Sequence, residues 1–428
     1  MNFDYTHPRA QLLSIMDRIY QFGMTTTSGG NLSIKESDGT IWITPAGVDK
    51  GSLTWEDIVK VNPDGTTSGR HRPSSEFPFH NAIYDARPDI EAIVHAHPSA
   101  LVSYSIVRKA PPTRIIPQAY EVCQNVDFAP YALPGSAQLG KNIADTFARG
   151  VDSVLLENHG VVCGGKDLLD AFSRFETLEF CGRLAIKAQR LGAVKELTQE
   201  QVDLRHQRKH LLPEFSPADR SSEEKALRRH ICEIMHRAYR HQLVSSLEGV
   251  VSARLDANSF LISPTAIDRQ LLDVSEIVLI KEGQRERGKL PSRAVQLHER
   301  VYRDHPWINS IITAQPPSSA AFCLTDTPFA TRTIPESYIL LRDIPRLPFG
   351  AQYTDESKVS EAIGEDTPVI LIENEAVLVV GKSLLEAYDR LEVAEFSAGS
   401  LIDAYALGGL VEMDDKAIDE LKVAFLGG

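Results

Sequence analysis

ENHGVVCGGKDLLDAFSRFETLEF (residues 157–180) and ENEAVLVVGKSLLEAYDRLEVAEF (residues 373–396) are one segment written twice in the same chain. Each opens on Glu-Asn, runs through a β-branched stretch to glycine and lysine, and continues as a helical pattern. The likeness extends towards the N-terminus of each copy. ITPAGVDKGSL (43–53) returns as ISPTAIDRQLL (262–272), and RPSSEFPFHNAIYDARPDIEAIVHAHPSA (72–100) returns as LPSRAVQLHERVYRDHPWINSIITAQPPSSA (290–320). Self-similarity on this scale marks a tandem duplication. Domains are expected at residues 1–208 and 224–428, joined by an exposed connection, 209–223, where prolines, serines and mixed charge gather.

Inside each copy, amphipathic patterns alternate with short β-branched runs. RAQLLSIMDRIYQFG carries Leu12, Leu13, Met16, Ile19 and Tyr20 at helical spacing and stops at Gly23. TIWITPAG, DIVKVNPDG and SVLLENHGVVCGG read as strands ending in turns, and DLLDAFSRFETLEFCGRLAIKAQRLG reads as one long helix closed by Gly192. Strands joined partly by turns and partly by helices predict layered α/β domains, each with a mixed, largely antiparallel sheet.

A chain of 428 residues, 43% hydrophobic and 24% charged, fits a globular protein of two or three domains. Its 45 basic and 58 acidic residues give a formal charge of -13, which argues against nucleic acid or an anionic membrane as partner. The start, MNFDYTHPRA, has no basic region leading into an apolar one, and no run approaches a membrane span. The 5 cysteines, odd in number and scattered, fit a reducing compartment, and a cytoplasmic location is expected.

The chemistry concentrates around AIVHAHPSA (92–100). In an extended strand His95 and His97 share one face while Val94 and Ala96 take the other. Such a pair is either half of a metal site or two ordinary histidines on a sheet face. A divalent transition metal needs three or four N, O or S ligands. His159, at the end of the strand in LLENHGVV, is the candidate third, with a turn histidine as the alternative. Glu76 is the candidate fourth; it follows Ser74 and Ser75, either a possible N-cap, and could equally be an acid complementing a helix dipole. The second copy weighs between these alternatives. It has Ala294, Thr313, Gln315 and Glu375 at the positions of Glu76, His95, His97 and His159, yet keeps Pro291, Ser292, His298, Glu373 and Asn374. Four residues lost together point to one metal site present once. His80, matched by His298, is expected to be structural.

Anion-binding turns lie in the same stretches. Gly30 and Asn31 in TTSGGNLS, Gly47 in TPAG, and Ser74 and Ser75 at a helix start offer N–H, amide and hydroxyl donors for a phosphate or carboxylate. The set SGGNLS, ITPAG, PSSEFPFH, VHAHP, APYALPG and ENHG resembles the class II aldolase/adducin family over nearly all of residues 8–192, and the second half resembles the same family with its site erased. The resemblance implies two tandem three-layer α/β/α domains of class II aldolase type and a homo-oligomer, a dimer imitating a fourfold ring. It also implies Zn2+ held by Glu76, His95, His97 and His159, with Glu76 leaving the metal to act as catalytic acid/base, and a sugar phosphate or sugar acid as substrate. Ala46 departs from the family, which has a hydroxyl residue there. Gln118, Tyr120 and Glu121 are possible substrate contacts; Tyr120 has a counterpart in Tyr338, as a packing residue would.

The expected activity is zinc-dependent aldol cleavage of a sugar phosphate through an enediolate to a ketone phosphate and an aldehyde. The alternatives are epimerisation, dehydration or decarboxylation at the same site, and an adducin-like scaffold without catalysis.

Overall fold

The structure, a computed structural model, describes residues 3–206 and 211–426. The expected domain limits at 1, 208 and 428, and residues 209 and 210 of the expected connection, lie outside the described residues. The chain divides into two compact units, Met1–Thr113 with Gln118–Arg183 and Arg114–Pro117 with Leu184–Gly428. The second unit thus starts ahead of the connection read from composition, because chain on its near side is bonded into it. Leu197 N donates to Arg114 O at 2.8 Å, and Asn374 Nδ2 donates to Ile115 O at 3.0 Å and Lys195 O at 2.9 Å.

The first unit is built on eight strands: β1 Asn31–Lys35, β2 Ile41–Ile43, β3 Val59–Val61, β4 Thr67–Ser68, β5 Ala92–Ala96, β6 Val126–Ala129, β7 Ser153–Leu156 and β8 Gly160–Gly165. Their order is β4-β3-β2-β1-β5-β8-β7-β6. Every pairing is antiparallel except β6 with β7. Ile43, Val59, Ile93, Val154 and Val162 bury one face against helices Phe77–Ala86 and Ala137–Phe147 through Phe79, Ile83, Ile143 and Phe147. Leu12, Ile15 and Ile19 on helix Pro8–Gln21, and Phe172, Phe175 and Leu178 on helix Leu168–Leu191, are also fully buried. β5, central in the order, is therefore buried along its whole length. A strand so enclosed must be apolar unless function demands otherwise.

Among the described residues the second unit has nine strands: β9 Glu214–Phe215, β10 Val250–Asp256, β11 Ser259–Ile262, β12 Val278–Lys281, β13 Gln284–Glu286, β14 Ser310–Ala314, β15 Arg346–Leu347, β16 Val369–Ile372 and β17 Ala376–Gly381. The order is β15-β16-β17-β14-β10-β11-β12-β13-β9, parallel only at the two edges. Its registers repeat those of the first unit: Asn31 faces His95 across β1 and β5, and Val250 faces Thr313 across β10 and β14. No described helix is long and apolar enough to cross a membrane.

One buried hydrogen-bonded trio recurs in both units. Ser33 Oγ lies 2.7 Å from His80 Nδ1 and 2.6 Å from Tyr84 Oη. Ser252 Oγ lies 2.8 Å from His298 Nδ1 and 2.7 Å from Tyr302 Oη. Each trio pins a helix to its sheet, and burial holds both His80 and His298 down at about 3, so both are neutral. His80 is thus structural, as its retention in both copies predicts.

A feature of the second unit alone is the carboxylate of Glu286, enclosed by cations. Arg228 Nη2 approaches Oε2 at 2.7 Å and Lys289 Nζ approaches Oε1 at 2.8 Å, with Arg220 also bonded. Burial raises the Glu286 acid, but these three cations outweigh it and hold it at about 2. A carboxyl depressed on folding stabilises above its ordinary value and loses that contribution as the pH falls through its folded one. The protein should therefore lose stability progressively below the normal glutamate range down towards pH 2. Glu286→Gln should cost about 3–5 kcal/mol in urea unfolding at pH 7, the range for removing one partner of a buried pair, and flatten that acid dependence. An unchanged unfolding midpoint would show the cluster to be inert.

Candidate metal centre

The hairpin β7–β8 turns through Glu157, Asn158 and His159, with Asn158 at φ 54, a left-handed conformation that asparagine tolerates. That turn brings His159 against the end of β5. The ring centroids of His95, His97 and His159 lie 4.9, 5.1 and 4.9 Å apart. One ligand atom from each falls within 4.8 Å of the others. The glycines next to them are required by contact. A Cβ on Gly160 would lie 2.6 Å from His97 Cδ2 and 2.7 Å from Ala96 O, and one on Gly29 would lie 3.0 Å from His97 Nδ1.

Glu76 joins the cluster from the start of the helix Phe77–Ala86. Its Oε2 is 3.2 Å from His95 Nε2 and its Oε1 is 3.6 Å from His159 Nε2. The helix expected to be capped by Ser74 or Ser75 begins at Phe77, so Glu76 itself occupies the N-cap position and makes no side-chain cap. Its carboxylate is committed to the histidines instead. Ser74 Oγ accepts from Glu76 N at 3.3 Å and holds the turn.

A directional hydrogen-bond chain stands behind Glu76. Asn31 Nδ2 donates to Glu76 Oε2 at 2.8 Å, which leaves Asn31 Oδ1 as the acceptor for His80 Nε2. His80 Nδ1 must then accept from Ser33, and Ser33 from Tyr84. The path Tyr84, Ser33, His80, Asn31, Glu76 has every partner specified, and such a network fixes the orientation of its last member. Asn31, expected as an anion donor, also positions Glu76 through one of its two amide N–H groups. Sequence reading missed this use; the signal available for it was that Ser33, His80 and Tyr84 recur in the second copy while Asn31 does not.

The donor set suits a divalent metal. Four ligands at the 2.0–2.1 Å typical of zinc stand roughly 3.3 Å apart along a tetrahedral edge. The contacts His95–His97 at 3.2 Å, His95–Glu76 at 3.2 Å and His159–Glu76 at 3.6 Å are of that size. His95 Nδ1 lies 2.9 Å from Val161 O, to which it donates, so Nε2 presents its lone pair to the cluster. Glu76 Oε1 is buried and has no hydrogen-bond partner among the described residues. Burial pushes His97 down to about 3 and His159 to about 4, leaving both in the neutral, ligating form. Burial opposes charge on Glu76 and on His95 as well, but their mutual attraction prevails. Glu76 is held well below the usual carboxylate range, and His95 is raised.

The sequence pattern of the Class II Aldolase and Adducin N-terminal domain matches residues 10–186 and again 229–402. The chain belongs to the class II aldolase/adducin family. The L-fuculose phosphate aldolase of Methanocaldococcus jannaschii is 34% identical to it over 178 residues, 42% of this chain and 95% of its own. The 3-oxo-tetronate 4-phosphate decarboxylase of Haemophilus influenzae is 34% identical over 174 residues, 40% of this chain and 82% of its own. A solved L-fuculose 1-phosphate aldolase is 30% identical with a TM-score of 0.43, covering 48% of this chain and 95% of that one.

The two class II aldolase/adducin repeats stitch the same three loops together. In the first, Lys50 N donates to Thr27 O, Thr44 N to Leu32 O and Ser74 N to Thr44 O; in the second, Arg269 N donates to Ser246 O, Ser263 N to Val251 O and Ser292 N to Ser263 O. These bonds carry Gly30 (φ 73), Gly47 (φ 68), buried Ser74 and exposed Ser75 to one end of the sheet. Gln118, Tyr120 and Glu121 lie half-buried on the short helix Pro117–Cys123 and are not members of the histidine cluster. The second repeat keeps the loops and loses the ligands: His298 Nε2 bonds Thr313 Oγ1 at 3.2 Å where His80 bonds Asn31.

Gly160→Ala should force His97 from its place. Overpacking of this kind costs about 1–3 kcal/mol, to be read by urea unfolding together with the NMR resonances of the His97 ring. Wild-type values of both would refute the close-approach account.

Proposed function

We propose that the first unit is a metal-dependent lyase acting on a sugar phosphate or sugar acid, with aldol cleavage to a ketone phosphate and an aldehyde as the leading reaction. The observation that supports it most is the convergence of Glu76 on His95 and His159 beside His97. His95, His97 and His159, with Glu76, would hold the metal, zinc being the ion that best suits three imidazoles and a carboxylate. When bound, that metal supplies Lewis-acid stabilisation of the negative charge that develops on substrate oxygen as the carbon–carbon bond breaks.

The remaining chemistry belongs to the chain. Glu76 moves the proton: its carboxylate accepts one at Oε1, the oxygen without a hydrogen-bond partner, and returns it to carbon or oxygen of the departing fragment. Asn31 holds Oε2 throughout. Gly30, Gly47, Ser74 and Ser75 bind the substrate anion with N–H and hydroxyl donors. Gln118, Tyr120 and Glu121 stand as candidate substrate contacts. The architecture is proposed as a catalytic domain, 1–208, and a domain without ligands, 224–428, acting as a homo-oligomer.

Decarboxylation is the second reading, favoured by the equal identity, 34%, to the curated aldolase and the curated decarboxylase. Both reactions break a carbon–carbon bond and leave charge on the same substrate oxygens, so one metal-and-carboxylate site serves either.

Zinc-loaded protein incubated with phosphorylated ketoses and 3-oxo acid phosphates, with products read by mass, should yield an aldehyde with a ketone phosphate, or carbon dioxide with a ketone phosphate. Glu76→Gln should lower kcat by about 10²–10⁴-fold, the usual worth of a positioned acid/base. Undiminished turnover by Glu76→Gln would overturn the proton-transfer role, and no turnover across the panel would favour an adducin-like scaffold.

A further inference from the structure

The second unit has not simply lost a site. Matched register for register, Gly29 is replaced by Glu248, Ala46 by Thr265, Ser75 by Arg293, His97 by Gln315 and His159 by Glu375. A relic under no constraint would fill with apolar side chains, because buried charge is costly unless it is used. Here the opposite has happened. Burial pushes the Glu248 acid up to about 7, and its Oε1 is buried with no hydrogen-bond partner among the described residues. The same holds for Oε1 of Gln315, which is 5% exposed. These two positions touch in the first unit, where Gly29 abuts His97.

The same unit has a cavity of about 310 Å³. Arg205, Thr265, Ser292, Arg293 and Tyr353 line it, together with a further arginine, a glutamine, leucines, a valine and a proline. Tyr353 donates to Glu375 Oε1 at 2.8 Å, joining the cavity to the acids behind it. Arg205, itself 8% exposed, interacts electrostatically with Glu248, as do Glu375, buried Arg269 and Arg293. Cations and hydroxyls on the wall, with the Glu375 carboxylate behind Tyr353, form a polar pocket within the size range of small-ligand sites.

We propose that the second unit binds a small hydroxylated anion, a phosphate or carboxylate of a short polyol, without metal and without catalysis. Arg293 and Arg205, with the Thr265 and Ser292 hydroxyls, take the anionic end as guanidinium groups do for such oxyanions. Tyr353, whose hydroxyl donates to Glu375, accepts from the hydroxyl end. The metal ligands are gone because the pocket's specificity now comes from its guanidinium and hydroxyl groups. The inference does not depend on which reaction the first unit performs.

The test is isothermal titration of the metal-stripped full-length protein with glycerol 1-phosphate and, separately, with glycerate. Arg293→Ser and Thr265→Ala restore the first unit's residues; Arg293 is exposed, so its replacement leaves the fold intact. Binding of either probe should weaken at least tenfold in Arg293→Ser and severalfold in Thr265→Ala, while urea unfolding midpoints stay at the wild-type value. Whichever probe binds tighter identifies the anion as phosphate or carboxylate. Titrations that superpose for wild type and both variants, or no heat from wild type with either probe at millimolar concentration, would overturn the proposal and leave the cluster as internally neutralised ion pairs.

Discussion

Glu76 and His95 are buried against each other at 3.2 Å, and neither belongs in an apolar sheet alone. An uncompensated carboxylate or imidazolium there would be expelled or neutralised. Their mutual attraction keeps the Glu76 acid low and the His95 base high against the effect of burial, and much nearby structure serves to keep the two together. Asn31 holds one carboxylate oxygen, Val161 O holds the far nitrogen of His95, and Phe79 lies edge-on to the ring at 5.4 Å. Gly29 and Gly160 give His97 room to stand beside the pair. The helix beginning at Phe77 is placed by the Ser33–His80–Tyr84 trio, so the carboxylate arrives from a fixed direction.

The second unit acts as a control that the molecule itself supplies. It has the same trio, the same three stitched loops and the same strand register, and it has alanine at the position of Glu76 and, among the described residues, no histidine cluster. The scaffold features are therefore those that both units need, and the features found only in the first unit belong to chemistry. His298 shows this on a single residue. It keeps its serine and tyrosine partners, but its other nitrogen ends on Thr313, at the position His95 fills in the first unit.

Much of this was legible in the sequence because the duplication let one copy annotate the other. The joint disappearance of Glu76, His95, His97 and His159 identified the cluster, and the persistence of His80 as His298 marked a structural residue. Periodicity located the long helix Leu168–Leu191 and its stop at Gly192, since a continuous apolar stripe ending at glycine has few alternatives. What was not legible depends on contacts between distant segments. Asn31 looked like another turn donor, and only the fold sets its amide between Glu76 and His80. Glu76 read as a first-turn residue, whereas the helix starts one residue later and frees its side chain. The exchange of Gly29 for Glu248 carries no signal in the sequence, because an acid enclosed by other residues is recognisable only once its surroundings are known.

Quantifying metal in the purified full-length protein, by elemental analysis after dialysis against metal-free buffer, tests the central claim most directly. One divalent ion per chain is predicted, retained by wild type and lost in His97→Ala. Two ions per chain would contradict the assignment of the second unit as metal-free. None in the wild type, even after incubation with zinc, would contradict the metal centre itself.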